Sequence, residues 1–190
     1  MKIIKLLILL LVSCSLSAKA GVVKISGSLK QFGLDRVSMN SDGIAAEVYH
    51  DRTIEIILDS NGRFDLKLKL KQPAYYKVGH NTLYLTPGDD LEIIFNRNTT
   101  KTTFNGKGIE ANNYLRNSAK LSGCEIAKIG RELNEFGLPK EKVSFEVYRY
   151  KVDSIVDASL DALAHLTAVT PEFRELEQIR LEACRLATYL

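Results

Sequence analysis

Arg63-Phe64-Asp65-Leu66-Lys67-Leu68-Lys69-Leu70-Lys71 decides the fold. Phe64, Leu66, Leu68 and Leu70 alternate with charged residues without a break. Successive side chains of an extended chain point to opposite faces, so one face meets a core and the other meets water. Ahead of it, residues 53–58 carry Ile54, Ile56 and Leu58 on one face, and Asp59-Ser60-Asn61-Gly62 lies between the two segments. Asn-Gly supplies the positive φ angles of a type I′ turn, which predicts a hairpin. Further strands are expected at 22–29, 36–39, 44–49, 75–79, 83–86 and 91–96, with Pro87-Gly88 as the tight turn between the last two. Short strands at this spacing, with antiparallel turns and one wet face, predict an antiparallel β-sandwich or small barrel over 22–104.

The hydrophobic period changes at Asn105-Gly106-Lys107-Gly108, which reads as a hinge opening a helical part over 105–190. Ala111, Leu115, Ala119, Ser122, Ile126, Ile129, Leu133 and Phe136 follow at steps of four and three, one face of a helix. Phe136-Gly137-Leu138-Pro139 closes it, with Gly past the last turn and then a Pro that cannot continue. A second stripe, Phe145, Tyr148, Val152, Ile155, Ser159, Ala162 and Leu166, predicts a helix over 142–166. Thr170-Pro171-Glu172 starts a third with an N-cap Thr, a first-position Pro and a first-turn acid. Its stripe is Leu176, Ile179, Ala183, Leu186 and Leu190. Short connections predict antiparallel neighbours. The fold class expected is therefore α+β: an antiparallel β-sandwich followed by an antiparallel unit of about three helices. The last stripe runs to Leu190 without a stop signal, so the helical part is expected to be the truncated front of something longer.

Met1-Lys2-Ile3-Ile4-Lys5 is a basic start, Leu6 to Val12 is an apolar run, and small and polar residues follow. Residues 1–20 read as an export signal, too short to span a membrane. Two processing sites compete. Ala18-Lys19-Ala20 before Gly21 fits ordinary cleavage, whereas Leu11-Val12-Ser13-Cys14 matches a lipobox that would make Cys14 the lipidated first residue. Either way the chain leaves the cytoplasm for the periplasm or cell envelope. The leader carries three lysines and no acid, so the 26 basic and 23 acidic residues of the whole become 23 of each. No basic patch for nucleic acid is implied. Membrane contact is expected only through a lipid on Cys14.

No catalytic, cofactor-binding or metal-ligating residue can be named. Cys124 and Cys184 stand 60 positions apart, each within a helical pattern, and read as small buried thiols rather than a disulfide. There is no Cys-x-x-Cys. His50, His80 and His165 have no partner at metal-ligand spacing. Asp89-Asp90 read as solvated turn residues rather than a Ca²⁺ site, which needs six or more oxygens. Asn105-Gly106-Lys107-Gly108 lacks the Gly-Lys-Ser/Thr ending of a phosphate loop. Tyr49, Tyr75, Tyr76 and Tyr84 read as core or cross-strand residues.

One family resemblance covers essentially all of 22–190. It rests on Ile25-Ser26-Gly27-Ser28-Leu29, Asn61-Gly62-Arg63-Phe64, Pro73-Ala74-Tyr75-Tyr76, Leu85-Thr86-Pro87-Gly88-Asp89 and Phe104-Asn105-Gly106-Lys107-Gly108-Ile109-Glu110-Ala111-Asn112-Asn113-Tyr114-Leu115. This succession resembles the region ahead of the thioredoxin domain in TlpA-like thiol-disulfide oxidoreductases of Gram-negative envelopes. The resemblance implies an export signal or lipobox, a β-sandwich, helices, and then a thioredoxin domain with Cys-x-x-Cys. That last domain is absent here, and Cys124 and Cys184 match no redox motif of the family. The function expected is a non-catalytic accessory region for partner or substrate binding or for homodimerisation. The alternative is a standalone exported binding module.

Overall fold

The computed structural model describes residues 20–41, 53–118 and 144–189. The fold is α+β: two four-stranded sheets and, among the described residues, three α-helices. The strands are β1 (Gly21–Ser28), β2 (Arg36–Ser41), β3 (Thr53–Ile57), β4 (Arg63–Leu70), β5 (Ala74–Val78), β6 (Asn81–Leu85), β7 (Asp90–Ile94) and β8 (Thr103–Lys107). The helices are α1 (Ile109–Ser118), α2 (Phe145–Ala164) and α3 (Pro171–Tyr189). One sheet runs β4-β1-β7-β8 and the other β3-β2-β5-β6. They face each other across Val23, Ile25, Phe64, Leu91 and Ile93 from the first and Met39, Ile56, Val78, Leu83 and Leu85 from the second. The expected strand at 44–49 lies outside the described residues, as do 119–143, which carry most of the first helical stripe.

The alternation in β4 does what it predicts: Phe64 and Leu70 are buried, Leu66 and Leu68 pack against the same core, and the charged positions are exposed. The hairpin does not form as expected, because β3 and β4 belong to different sheets. Gly62 has φ 71° and no non-glycine residue among those described has a positive φ, so the turn is not type I′. Asp59 builds it instead: Oδ1 accepts from Asn61 N and Arg63 N, both at 2.8 Å, and Gly62 N donates to Asp59 O at 2.9 Å. Beyond this turn β1 captures β4 along its whole length, from Gly21 opposite Leu70 to Ser28 opposite Arg63. Eight paired residues outweigh a local hairpin. Gly62 also seals the corner: its O accepts from Leu29 N at 2.8 Å, and a Cβ there would lie 2.7 Å from Lys30 Cα.

The first sheet is mixed, not purely antiparallel, because β1 runs parallel to β7. Gly27 lies opposite Ile93 in that pairing, and a Cβ on it would come within 1.8 Å of Ile93 O. The tight turn at Pro87-Gly88 is present, closed by Asp89 N donating to Thr86 O at 3.0 Å. It passes the chain from one sheet to the other rather than joining two neighbours. Asn105-Gly106-Lys107 is likewise no hinge. These residues form most of β8, paired antiparallel with β7 from Asp90–Lys107 to Ile94–Thr103.

Helices α2 and α3 pack antiparallel. Arg174 near the start of α3 donates to Leu163 O and Leu166 O at the end of α2, and Arg185 near the end of α3 donates to Asp157 Oδ1. Thr170 caps α3 as expected, its Oγ1 accepting from Phe173 N at 3.2 Å. The expected stripe of α3 is rotated out of register. Phe173, Glu177 and Leu181 are buried, whereas Leu176, Ile179 and Leu186 are 37%, 59% and 62% exposed and Ala183 is exposed as well. A carboxylate at the centre of the buried face hides it from any pattern that counts apolar residues. On α2, Val152 is buried as expected, but Val156 and Leu163 complete the face and Ala162 is exposed.

Candidate functional site

The second core of the protein lies between the outer face of the β5–β6 pair and the helices. Tyr75 and Tyr84 are directly opposite in the β5–β6 register and point out of the sandwich, with ring centroids 5.0 Å apart. Phe173 of α3 packs edge-on against Tyr84 at 4.7 Å, and Tyr114 of α1 meets Phe173 edge-on at 6.0 Å. Such edge contacts set the negative face of one ring against the positive rim of another. Strand β6 is therefore buried on both faces, all five residues of it. Helices and sandwich share this core and are joined through it.

Two polar devices hold the junction. The first is Asn112 of α1, fully buried. Its Oδ1 accepts from Tyr84 N and its Nδ2 donates to Tyr84 O, both at 2.9 Å, and Nδ2 also reaches Gly108 O at 2.9 Å. The side-chain amide thus acts as one residue of a missing neighbour strand and closes the open edge of β6. The second is Glu177 of α3, also without exposure. It accepts from Tyr75 Oη at 3.0 Å and from Arg180 Nε and Nη2 at 2.7 and 2.6 Å. Burial, then the charge of Glu177 and its hydrogen bond, raise the Tyr75 hydroxyl above the ordinary phenol range. Burial, then Glu172, raise Tyr84 in the same direction. Both tyrosines stay neutral at any ordinary pH.

Asp89 and Asp90 part company. Asp90 is exposed on β7, 3.4 Å from Lys24 Nζ. Asp89 is 6% exposed and not the solvated turn residue the sequence predicts. Its Oδ2 accepts from Thr86 N at 2.7 Å, and its carboxylate packs against the Cα of Gly108, just ahead of α1. That bond closes the Pro87-Gly88 turn a second time, which pulls the side chain inward. Burial raises its pKa above the usual carboxylate value, against the lowering effect of Thr86 N and Lys107. Folded Asp89 therefore holds its proton more tightly than unfolded Asp89, so its ionisation costs stability as pH rises above the unfolded value of about 3.9. Asp89→Asn keeps an acceptor for Thr86 N and carries no charge. The variant is expected to melt at or above the parent temperature at pH 7, with any gain closing as pH falls towards about 4. Calorimetry across that range checks this; a variant several degrees less stable at pH 7 would mean the carboxylate is needed as an anion.

Of the other candidates, Cys14, Tyr49, His50 and Cys124 lie outside the described residues, and so does the side chain of Cys184. Tyr76 is in the sandwich core. His80 is exposed in the β5–β6 turn. His165 ends α2, its Nδ1 2.8 Å from Asp161 O, and is exposed. No group of three or more His, Cys, Asp or Glu among the described residues could hold a metal ion, and no described helix is long and apolar enough to cross a membrane. The residues that organise the junction, Asn112, Glu177 and Asp89, were not singled out for these roles by sequence. An Asn four residues past Gly108 at a helix start, and a Glu in phase with Phe173 and Leu181, were the available signals. No protein-family model, no curated protein and no solved structure matches the chain.

Proposed function

We propose that this chain is a non-catalytic, exported module of the cell envelope, the accessory region of a TlpA-like thiol-disulfide oxidoreductase, serving partner binding or dimerisation. Its leader directs it to the periplasm, with Cys14 as the lipid-bearing residue if the lipobox is the one processed. The order of parts supports this, a β-sandwich followed by helices as the resemblance implies. One observation carries the binding role: α3 turns Leu176, Ile179, Ala183 and Leu186 away from the core. Their spacing of three, four and three is the seam a facing helix fills.

Sedimentation equilibrium of the processed chain, and its titration into the isolated thioredoxin domain of a TlpA-like oxidoreductase, test the reading. Self-association or saturable binding is expected, weakened at least about tenfold (about 1.4 kcal/mol) by Ile179→Asp with Leu186→Asp while the circular dichroism stays unchanged. A protein that stays monomeric and ignores the thioredoxin domain at about 100 μM, a concentration at which contacts weaker than about −5.5 kcal/mol go unseen, would overturn the accessory role. The standalone binding module then takes its place, and the cavity described next favours that second reading.

A further inference from the structure

A cavity of about 350 Å³ opens where the Pro87-Gly88 turn, the end of β8, the start of α1 and the loop before α3 converge. Tyr84 and Phe173 line it, with Asp89, Glu110, Lys107 and Thr170. Its size is at the lower end of small-ligand sites. Three observations define what it would take.

The first is charge. Asp89 is buried there with its carboxylate, Glu110 bears on Asp89, and Glu172 bears on the Tyr84 hydroxyl. Lys107 is the one basic residue in the lining, and its Nζ already donates to Gly88 O at 3.1 Å. The second is an under-satisfied polar group. Tyr84 is 2% exposed, and its hydroxyl, sealed from solvent, makes no hydrogen bond of normal geometry. The Thr170 hydroxyl, whose oxygen accepts from Phe173 N, lies near enough to lend the Tyr84 oxygen only a long, weak bond. The third is that the anion-attracting features are answered from within. Helices α1 and α3 each carry an acid in the first turn, Glu110 and Glu172, and the Asp89 carboxylate sits at the approach to α1.

An anion would therefore meet carboxylates, and no carboxylate group here is tight enough to hold a metal ion. An ammonium group would find a buried carboxylate, a tyrosine oxygen with a free lone pair and aromatic walls. We infer that this cavity binds a small primary alkylammonium, its nitrogen directed at Asp89 and the Tyr84 hydroxyl and its carbon chain against Phe173 and the apolar lining.

The test is amide NMR of the full processed chain titrated with n-butylammonium chloride, against sodium chloride and sodium butyrate at equal ionic strength. Saturable shifts are expected at Gly88, Gly108, Ala111, Thr170 and Phe173, and butyrate is expected to match sodium chloride. Asp89→Asn should weaken binding at least tenfold, and Glu110→Gln, at an exposed position, should weaken it a few fold. Glu92→Gln, on the far sheet face, should leave it unchanged. No saturable shift beyond the salt control, equal binding by Asp89→Asn, or tighter binding of butyrate at the same amides would each overturn the site. Ile179→Asp with Leu186→Asp should bind n-butylammonium normally, so failure of this site and failure of the α3 seam are told apart.

Discussion

Glu177→Ala is expected to destabilise the protein by about 3–5 kcal/mol, the usual loss when one partner of a buried charge pair is removed. The reason is not the Glu177–Arg180 attraction itself. The two are three residues apart on one helix, so the pair survives when α3 leaves the sheet. Docking instead takes the carboxylate out of water and repays this with the Tyr75 hydroxyl and the burial of Phe173 between Tyr84 and Tyr114. Removing the carboxylate takes away the acceptor of the half-buried Tyr75 hydroxyl and opens a void beside Arg180, whose side chain is 18% exposed. Glu177→Leu with Tyr75→Phe fills the void and removes the orphan hydroxyl, while Arg180 swings its head toward water along its own apolar stem. That double variant is expected to recover at least about 1 kcal/mol of the loss. Urea titrations with a constant slope measure both. A single-variant loss below about 1 kcal/mol would mean the network contributes no more than an exposed pair.

Asn112→Ala is expected to cost about 2–4 kcal/mol, because it strands both backbone groups of Tyr84 at once. Tyr84 N and Tyr84 O have this amide as their partner in a fully buried position, whereas Gly108 O keeps the backbone bond that opens α1. Asn112→Asp separates the contributions. Its oxygen still accepts from Tyr84 N, but at neutral pH a carboxylate faces two carbonyl oxygens in place of a donor. It should therefore be worse than Ala at pH 7. A carboxyl forced to keep its proton in the folded state loses stability as pH rises above the unfolded value near 3.9, so Asn112→Asp should regain ground on acidification while Asn112→Ala does not. Denaturation midpoints at pH 4 and pH 7 decide it. Equal, small losses in both variants would mean that water takes over the edge of β6.

Much of this architecture is visible in the chain. Strand β4 could be read because one of its faces is wet, which stamps alternation on the sequence. Strand β6 could be read only in part: Asn81 and Thr82 are buried beside Leu83, Tyr84 and Leu85, so no alternation marks its start. The Asn-Gly and Pro-Gly turns are real, but a turn is a local event and sheet membership is not. Both turns carry the chain across the sandwich because β1 claims the strand that follows each, while β2 holds the strand before the first and β5 the strand before the second. The helix starting at Thr170 announces itself through local capping, whereas its buried face includes Glu177 and defeats a count of apolar positions. Asn112 was hidden for the same reason, since a polar residue whose partners lie on another element leaves no periodic trace.

Strand β1 has a consequence for the order in which the molecule assembles. It is the first of the described strands and sits inside its sheet, antiparallel to residues 63–70 on one side and parallel to residues 90–94 on the other. Neither pairing is local, so loop closure must be achieved before any hydrogen bond of β1 repays it. During synthesis the sheet cannot close until the chain has grown past Lys107, the end of its outermost strand. A tether or brake applied to residues 21–28 would divide that sheet into β4 on one side and the β7–β8 pair on the other. Release of those eight residues is then the event that lets the sandwich form.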